Sequence, residues 1–301
     1  MNLVIEELLQ IVEKDPLPAA DTSSHWEILG NETTVGRSGD DLVLSGSGFG
    51  AMKVGGRLGS AARLLERLTY SLVTMRLKNY KSSFKTTKRL ASDLTADLTY
   101  DIWRQSVALS VLRDHWGNHN LSPKTFAVIG DGHGFLGALI RRQFPESRVY
   151  LIDLPKMLVF QAHTQEQAGF GGSMSVMSPG STPTETTFVL PENIELISDR
   201  IDCAINIASM QEMTNRSISQ YFEFLRSRTS PNSRFYCVNR LHKELPGERS
   251  LGSWIIHGWT TMKCSLMARV LTTPTTSVEQ ALMDLDSSGQ GCRSSITLMD
   301  D

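Results

Sequence analysis

Three glycines lie close together in the segment VIGDGHGFLGALI, at Gly130, Gly132 and Gly134. They follow an apolar run that predicts a buried strand, and a helical pattern comes directly after them. A sharp turn from strand to helix brings backbone N–H groups close to a ligand, and glycine permits both the close approach and a positive φ. The helix N-terminus suits a pyrophosphate and equally the carboxylate of an amino acid. The segment therefore predicts a cofactor-binding loop.

The glycine spacing is compatible with two classes of cofactor. The stretch from Gly132 to Gly137 satisfies the GxGxxG pattern of dinucleotide-binding proteins, which favours a nicotinamide cofactor. The stretch from Gly130 to Gly134 reads GxGxG, which is similar to motif I of class I S-adenosylmethionine-dependent methyltransferases. The first position of that motif is often acidic and is Val128 here. The glycines alone leave both classes open.

An aspartate ends the next predicted strand, RVYLID, at Asp153. An acid at the end of the second strand, about 20 residues past the glycines, accepts hydrogen bonds from ribose hydroxyls. Both cofactor classes contain ribose, so Asp153 predicts a nucleoside without identifying it. The alternative is that Asp153 caps the helix that begins at Pro155.

Polar residues accompany a later strand, DCAINIAS, and its carboxyl end. Asn206 lies within the strand, and Ser209, Gln211 and Glu212 follow it. The carboxyl ends of parallel strands face the ligand crevice, and a buried polar group without a partner costs ~1–3 kcal/mol. We therefore interpret these residues as lining a site. Small residues and proline would be more typical of a dehydrogenase here, so the segment favours a methyltransferase.

The elements that position these residues alternate along the central part of the chain. Buried strands are predicted at 125–130, 148–153, 202–209 and 234–240, and helices at 135–144, 155–169 and 217–228. A further strand is expected at 186–190, with 194–198 as the alternative. This alternation predicts an α/β fold with a doubly wound, mostly parallel, Rossmann-like methyltransferase sheet. Beyond it, 262–273 is expected to contain a strand, and 296–299 could be the last strand of a closing hairpin.

The first 120 residues differ in pattern from the rest. They read as a mainly helical N-terminal extension, with helices at the start, at 61–80 and at about 94–116, and with a loop over 21–50. We expect residues 1–120 to form a substrate-binding or lid region and residues 121–301 to form the cofactor-binding domain.

Composition limits the classes of function. The 301 residues carry a formal net charge of −2, which gives no strong field to favour nucleic acid or an anionic membrane. The four cysteines are far apart, which indicates reduced thiols and no metal site. No stretch approaches the ~20 apolar residues of a membrane span. We expect a cytoplasmic protein, and self-association stays open.

Several short motifs in order resemble the sugar O-methyltransferase family of bacterial glycan and natural-product pathways. The resemblance covers roughly residues 90–245. The motifs that carry it are Leu151–Pro155, Asp202, Asn206, Ser209–Met213, Tyr221–Phe222 and Phe235–Arg240. It implies transfer of a methyl group from S-adenosylmethionine to a hydroxyl of a sugar or a glycosylated small molecule.

The resemblance and the motifs together assign expected roles. Residues expected to bind the cofactor are Gly130, Asp131, Gly132, His133, Gly134, Asp153, Leu154, Ser209 and Met210. Residues expected to bind the acceptor are Tyr100, Gln211, Asn239 and Arg240. Glu212 is the leading candidate for the base, although it could instead anchor the following loop or Arg240; His242 and His257 are reserve candidates. The rival functions are an NAD(P)-dependent oxidoreductase that uses the same glycines, and a non-catalytic methyltransferase-like binding protein.

Overall fold

The computed structural model describes residues 2–14, 24–39, 41–46, 74–240, 271–273 and 276–284. Its helices are α1 (Leu3–Lys14), α2 (Ser24–Glu32), α3 (Tyr80–Asp93), α4 (Tyr100–His119), α5 (Phe135–Gln143), α6 (Pro155–Gln165) and α7 (Asn215–Arg228). Its strands are β1 (Thr34–Ser38), β2 (Asp41–Ser45), β3 (Thr125–Ile129), β4 (Arg148–Ile152), β5 (Met174–Val176), β6 (Thr186–Val189), β7 (Cys203–Ile207), β8 (Arg234–Arg240), β9 (Leu271–Thr273) and β10 (Thr276–Asp284).

An eight-stranded sheet has the order β5-β6-β4-β3-β7-β8-β10-β9. The first six strands in that order are parallel, β10 is antiparallel to β8, and β9 is antiparallel to β10. In the central pair, Thr125 lies opposite Arg148 and Ile129 lies opposite Ile152. The carboxyl ends of these strands therefore meet at one edge of the sheet. The predicted doubly wound α/β fold is confirmed.

Two apolar layers cover the faces of the sheet. Along β3, Phe126 and Val128 pack in one hydrophobic cluster, while Ala127 and Ile129 pack in the other. The first cluster also takes residues from α1, α3, α4, α5 and α6, and the second takes residues from α7. Successive side chains of a strand point to opposite faces, so burial on both faces explains why these strands are continuously hydrophobic in sequence.

The predicted strands of the parallel sheet are confirmed, with one alternative removed. The strand expected at 186–190 is present as β6. The alternative strand at 194–198 is wrong, because a 3-10 helix over Pro191–Leu196 covers the first half of that segment. The edge strand β5 was not predicted. The expected strand within 262–273 is β9, and β9 and β10 form a closing hairpin. Residues 296–299 lie outside the described residues.

Two predictions for the N-terminal part are wrong. The expected loop over 21–50 contains α2 and an antiparallel hairpin of β1 and β2, which turns at Gly39 with φ +63°. The helix expected from residue 94 begins at Tyr100, because Leu94 is the C-cap of α3 and Thr95 has φ +50°. Most of the predicted helix 61–80 lies outside the described residues.

The N-terminal helices α1, α3 and α4 contribute to the core of the sheet, whereas Trp26 of α2 packs in a separate cluster. Ile5, Leu8, Leu9 and Val12 of α1 are buried, and they belong to the same cluster as Val128. A domain boundary near residue 121 stays a prediction. Of the helices that the structure describes, none combines the length and the apolar character that crossing a membrane requires.

Candidate functional site

Three strands bring the predicted cofactor residues to one edge of the sheet. The Gly130 N–H donates to the Ile152 carbonyl (2.9 Å), and the Ala208 N–H donates to the Val238 carbonyl (2.6 Å). Asp153 follows β4 directly, so it lies beside the glycine loop that follows β3. The structure therefore brings together the ends of β3, β4 and β7, as the sequence predicts.

The glycine loop has a conformation that side chains rarely adopt. Gly130, Gly132 and Gly134 have φ of +73°, +63° and +84°. A Cβ on Gly130 would lie 2.1 Å from the Oγ of Ser209, and a Cβ on Gly134 would lie 2.7 Å from the Cα of Gln161. Glycine is therefore required at both positions by the packing of the chain on itself as well as by backbone conformation.

The aspartate between the first two glycines caps helix α5. The Asp131 carboxylate accepts hydrogen bonds from the backbone N–H groups of Leu136 (3.1 Å) and Gly137 (2.7 Å). Burial raises the pKa of Asp131 to about 7, against the lowering effect of these two hydrogen bonds, and the nearby charge of Asp153 raises it further. The first free amides of α5 thus have an anionic partner within the protein.

Asp153 is buried, with 7% of its surface exposed. Its Oδ1 accepts from the Leu154 N–H (2.9 Å), and its Oδ2 accepts from the Gly132 N–H (3.3 Å) and from Nε2 of Gln161 (2.7 Å). Burial raises the pKa of Asp153 to about 7, the three hydrogen bonds lower it, and the charge of Glu212 raises it. The N-cap residue of α6 is Leu154 and not Asp153, and the helix-side bond of Asp153 goes to the Leu154 N–H, which precedes the first turn.

The polar residues at the end of β7 form hydrogen bonds with one another. Asn206 is fully buried, and its Nδ2 donates to the Ile129 carbonyl (2.9 Å) and to the Oγ of Ser209 (2.5 Å). Its Oδ1 accepts from the Met210 N–H (3.3 Å) and from Nδ2 of Asn239 (2.9 Å). The interpretation of Asn206 as a site-lining residue is therefore wrong. Its hydrogen-bonding groups have partners within the protein, and they shape the turn that follows the strand.

The residues expected to bind the acceptor fall into two groups. Asn239 and Gln211 are buried, and Oδ1 of Asn239 accepts from the Gln211 N–H (3.1 Å), so both support the turn after β7. Tyr100, at the start of α4, is 40% exposed, and its ring packs 5.5 Å from that of Trp103. Arg240 ends β8, and its side chain lies outside the described residues. Their roles stay predictions.

The residues after Ser209 differ sharply in exposure. Met210 is 1% exposed and packs in the core beneath α7. Glu212 is half-buried at the end of the 3-10 turn Met210–Glu212, where its N–H donates to the Ser209 carbonyl (2.9 Å). Its charge acts on Asp153, whose charge acts in turn on Asp131. Asp131, Asp153 and Glu212 therefore form a series of carboxyl groups in which each is close enough to act on the next.

His133 lies within the glycine loop and packs edge-on against Phe160, with 5.3 Å between ring centroids. Burial lowers the pKa of His133 to about 4, so its ring is neutral at neutral pH. The expected position of His133 near the cofactor stays a prediction. The reserve candidates, His242 and His257, lie outside the described residues.

Two features near the site were not predicted. Trp26 of α2 packs with Met157 and Phe160 of α6, and the β1–β2 hairpin contacts the same cluster. This cluster reaches the loop through Phe160, whose ring contacts His133. Gln161 contacts Asp153, as described above. Two glutamines one turn apart on α6, Gln161 and Gln165, are the sequence feature that could have indicated it. Within the described residues, no group of three or more His, Cys, Asp and Glu side chains could hold a metal ion.

Comparisons with known proteins yield structural matches only. No family model matches the chain, and no curated protein matches it. TomG, an O-methyltransferase from Streptomyces achromogenes that is involved in tomaymycin synthesis and was solved with S-adenosylmethionine, is 10% identical with a TM-score of 0.48 (76% of this chain, 100% of TomG). Cofactor-bound Rv0187 from MTB is 9% identical with a TM-score of 0.47 (74% and 96%). An rRNA methylase from Streptococcus thermophilus is 12% identical with a TM-score of 0.42 (60% and 96%). The assignment of the α/β fold class rests on the strand order and pairing of the chain itself.

Proposed function

We propose that this chain is an S-adenosylmethionine-dependent methyltransferase that methylates a hydroxyl of a sugar or a glycosylated small molecule. The supporting observation is the buried Asp153 beside the glycine loop at the carboxyl edge of a parallel sheet, with its Oδ2 3.3 Å from the Gly132 N–H. Adenosine would lie across these strand ends, with its ribose hydroxyls on Asp153 and the amino-acid end of the cofactor at residues 130–134.

The charges around the loop favour this cofactor over a dinucleotide. Asp131 already occupies the Leu136 and Gly137 amides, which a pyrophosphate at a helix N-terminus would need. Two unit charges about 4 Å apart interact by about 4 kcal/mol at an effective dielectric constant of 20, more than the ~1 kcal/mol of a neutral hydrogen bond. Three carboxyl groups therefore oppose a pyrophosphate and favour the sulfonium and ammonium groups of S-adenosylmethionine.

The residues of the chain would divide the chemistry as follows. When bound, S-adenosylmethionine supplies a methyl group that its sulfonium already activates. Asp153 and the glycine loop would hold the cofactor, and the turn after β7 would present Glu212 to the acceptor. The acceptor oxygen and the methyl carbon must lie about 3 Å apart and in line. Glu212 would take the proton that the hydroxyl loses, while Tyr100 and Arg240 contact the acceptor.

The sugar acceptor rests on the motif resemblance over residues 90–245, and the net charge of −2 supports a small molecule over a nucleic acid. Asn239 and Gln211, expected to bind the acceptor, would contribute by holding the turn that carries Glu212. The cytoplasmic location and the role of the N-terminal elements as a lid are proposals of the same kind. An acceptor screen that compares sugars, nucleotide sugars and RNA tests the proposed sugar acceptor.

A ligand titration tests the cofactor. Saturation at 100 times Kd stabilises a protein by about 2.7 kcal/mol, so S-adenosylhomocysteine is expected to raise the melting temperature clearly and NADH is not. Asp153→Asn should remove most of this stabilisation. The matched control is Asp93→Asn on α3, where the aspartate is exposed and pairs with Arg142. Stabilisation by NADH alone would establish the oxidoreductase alternative, and stabilisation by neither ligand would support the non-catalytic one.

A substitution at Glu212 tests the base. General base catalysis contributes about 10²–10⁴-fold to a rate, so Glu212→Gln is expected to slow transfer by at least about 100-fold while S-adenosylhomocysteine binds as before. Glu223→Gln, at an exposed position of α7, is the control. The readout is formation of S-adenosylhomocysteine with an acceptor identified in the screen. Full turnover by Glu212→Gln would show that Glu212 is not the base.

A further inference from the structure

Gln161 is a fully buried glutamine whose side-chain amide is committed to one partner. Its Nε2 donates to Oδ2 of Asp153 at 2.7 Å, and its Oε1 has no hydrogen-bond partner. A buried amide oxygen without a partner is unfavourable, so the position would better suit an apolar residue unless the N–H contact matters. The short bond to Asp153 is therefore the interaction that an apolar residue at position 161 would lose.

The backbone around Gln161 restricts its movement. A Cβ on Gly134 would lie 2.7 Å from the Cα of Gln161 and 2.9 Å from its Cβ, so the glycine loop packs directly on this turn of α6. The side chain therefore runs beneath the loop to Asp153. Of the three donors to that carboxylate, Gln161 makes the shortest bond and is the one contributed by a side chain.

We propose that Gln161 is a positioning residue, which holds the Asp153 carboxylate ionised and oriented toward the ribose of the cofactor. This inference rests on the proposed function. An ionised carboxylate offers acceptors to two ribose hydroxyls, whereas a protonated one has an O–H of its own to place. Charge-assisted hydrogen bonds favour the ionised form, so removing the shortest of the three weakens ribose binding at neutral pH.

Other groups act on Asp153 in the opposite direction. Glu212 on the turn after β7 and Asp131 on the glycine loop are acids near it, and Tyr221 faces it from α7. Burial together with the charge of Glu212 raises the pKa of Asp153 to about 7 in spite of its three donors. The carboxyl group is therefore poised to change its charge when one donor is lost.

A pair of matched variants tests the role of Gln161. Gln161→Met removes the amide and keeps the length of the side chain. Gln165→Met makes the same change one turn later, at an equally buried glutamine whose Nε2 contacts the Gly134 carbonyl (3.4 Å) and whose Oε1 is likewise without a partner. The pKa of Asp153 is measured by carboxyl ¹³C NMR of the ligand-free chain. We expect Gln161→Met to raise this pKa by about one unit or more. Gln165→Met should leave that pKa unchanged.

Cofactor affinity gives the second readout. We expect Gln161→Met to weaken S-adenosylhomocysteine binding at pH 7 by about tenfold, and to recover most of the affinity at pH 9, where Asp153 is ionised again. Structural damage would weaken binding at every pH, so an absence of recovery would overturn the inference. Gln161→Asn shortens the side chain by one methylene group and so moves the amide away from Asp153. It should raise the Asp153 pKa as well, and it replaces Gln161→Met if that variant does not fold.

The two proposals fail in different ways. A wild-type chain that binds no S-adenosylhomocysteine would overturn the proposed function. A wild-type chain that binds it, together with Gln161 and Gln165 variants that have the same Asp153 titration, would overturn only the role of Gln161.

Discussion

The substitution Gly130→Ala tests why the loop after β3 requires glycine. The new Cβ would lie 2.1 Å from Oγ of Ser209 and 2.4 Å from its Cβ, far inside van der Waals contact. The φ of +73° adds a left-handed conformation that costs roughly 1–2 kcal/mol in an alanine. Ser209 cannot retreat freely, because its Oγ bonds Asn206 and the Ile129 carbonyl. Overpacking of this kind typically costs about 1–3 kcal/mol, so the expected total is about 2–5 kcal/mol.

A second glycine separates the two contributions. Gly180 has φ +82°, and a Cβ built on it would meet nothing within 4 Å. Gly180→Ala therefore carries the conformational cost without the clash, and it should destabilise the chain by roughly 1–2 kcal/mol. Chemical denaturation of both variants gives the free energies of unfolding, and Gly130→Ala is expected to show the larger loss.

A double-mutant cycle decides whether Ser209 is the cause. In a Ser209→Gly background the clashing atoms are absent, so the cost of Gly130→Ala should fall to that of Gly180→Ala. If Gly130→Ala has the same cost in both backgrounds, then the contact with Ser209 is not what requires glycine, and the reasoning is refuted.

Three further predictions concern stability and local opening. Folding raises the pKa of Asp131 and Asp153 from 3.8 to about 7, so their stabilisation is complete below about pH 4 and is lost as pH rises through 7. The ligand-free chain should therefore have a lower free energy of unfolding at pH 8 than at pH 5. Asp153→Asn removes one of the two contributions, so its free energy of unfolding should fall less over this range, and a fall as large as that of wild type would contradict the reasoning. Lys156→Met removes two hydrogen bonds from α6 to carbonyls at the end of α2 and just before β1, so hydrogen exchange should speed up in those elements but not in β3. Asn239→Ala removes the acceptor of the buried Gln211 N–H and one of the two donors to Asn206 Oδ1, so it should cost about 1–3 kcal/mol in denaturation. A loss below about 0.5 kcal/mol would contradict the hydrogen-bond network.

The sheet was predictable because each of its central strands has a recognisable pattern in its own short stretch of sequence. Strands buried on both faces are short apolar runs, and β3, β4, β7 and β8 lie where such runs occur. The edge strand β5 has only three residues, and β1 is mostly polar, so neither produces a clear pattern. The start of α4 was misplaced because the apolar spacing continues across Thr95, where the backbone turns left-handed.

The location of the site was predictable, whereas its hydrogen bonds were not. The positions of Gly130 and Asp153 follow from the rule that parallel strands end at one edge. The partners of Asn206 are set by tertiary packing, since its bond to Ile129 joins residues 77 apart in sequence. A polar residue within a strand can line a site or satisfy a neighbouring turn, and only the fold distinguishes the two. Gln161 was missed for the same reason.

The capping of α5 by Asp131 has a consequence for the kinetics of ligand exchange. The loop finds the partner for its amides within its own sequence, so these bonds do not need a ligand to form. Association then loses little backbone entropy, because the binding surface is organised in advance. Departing product likewise leaves behind a loop of the same shape. Residence time at this edge of the sheet should accordingly depend on contacts with the ligand itself and not on refolding of residues 130–134.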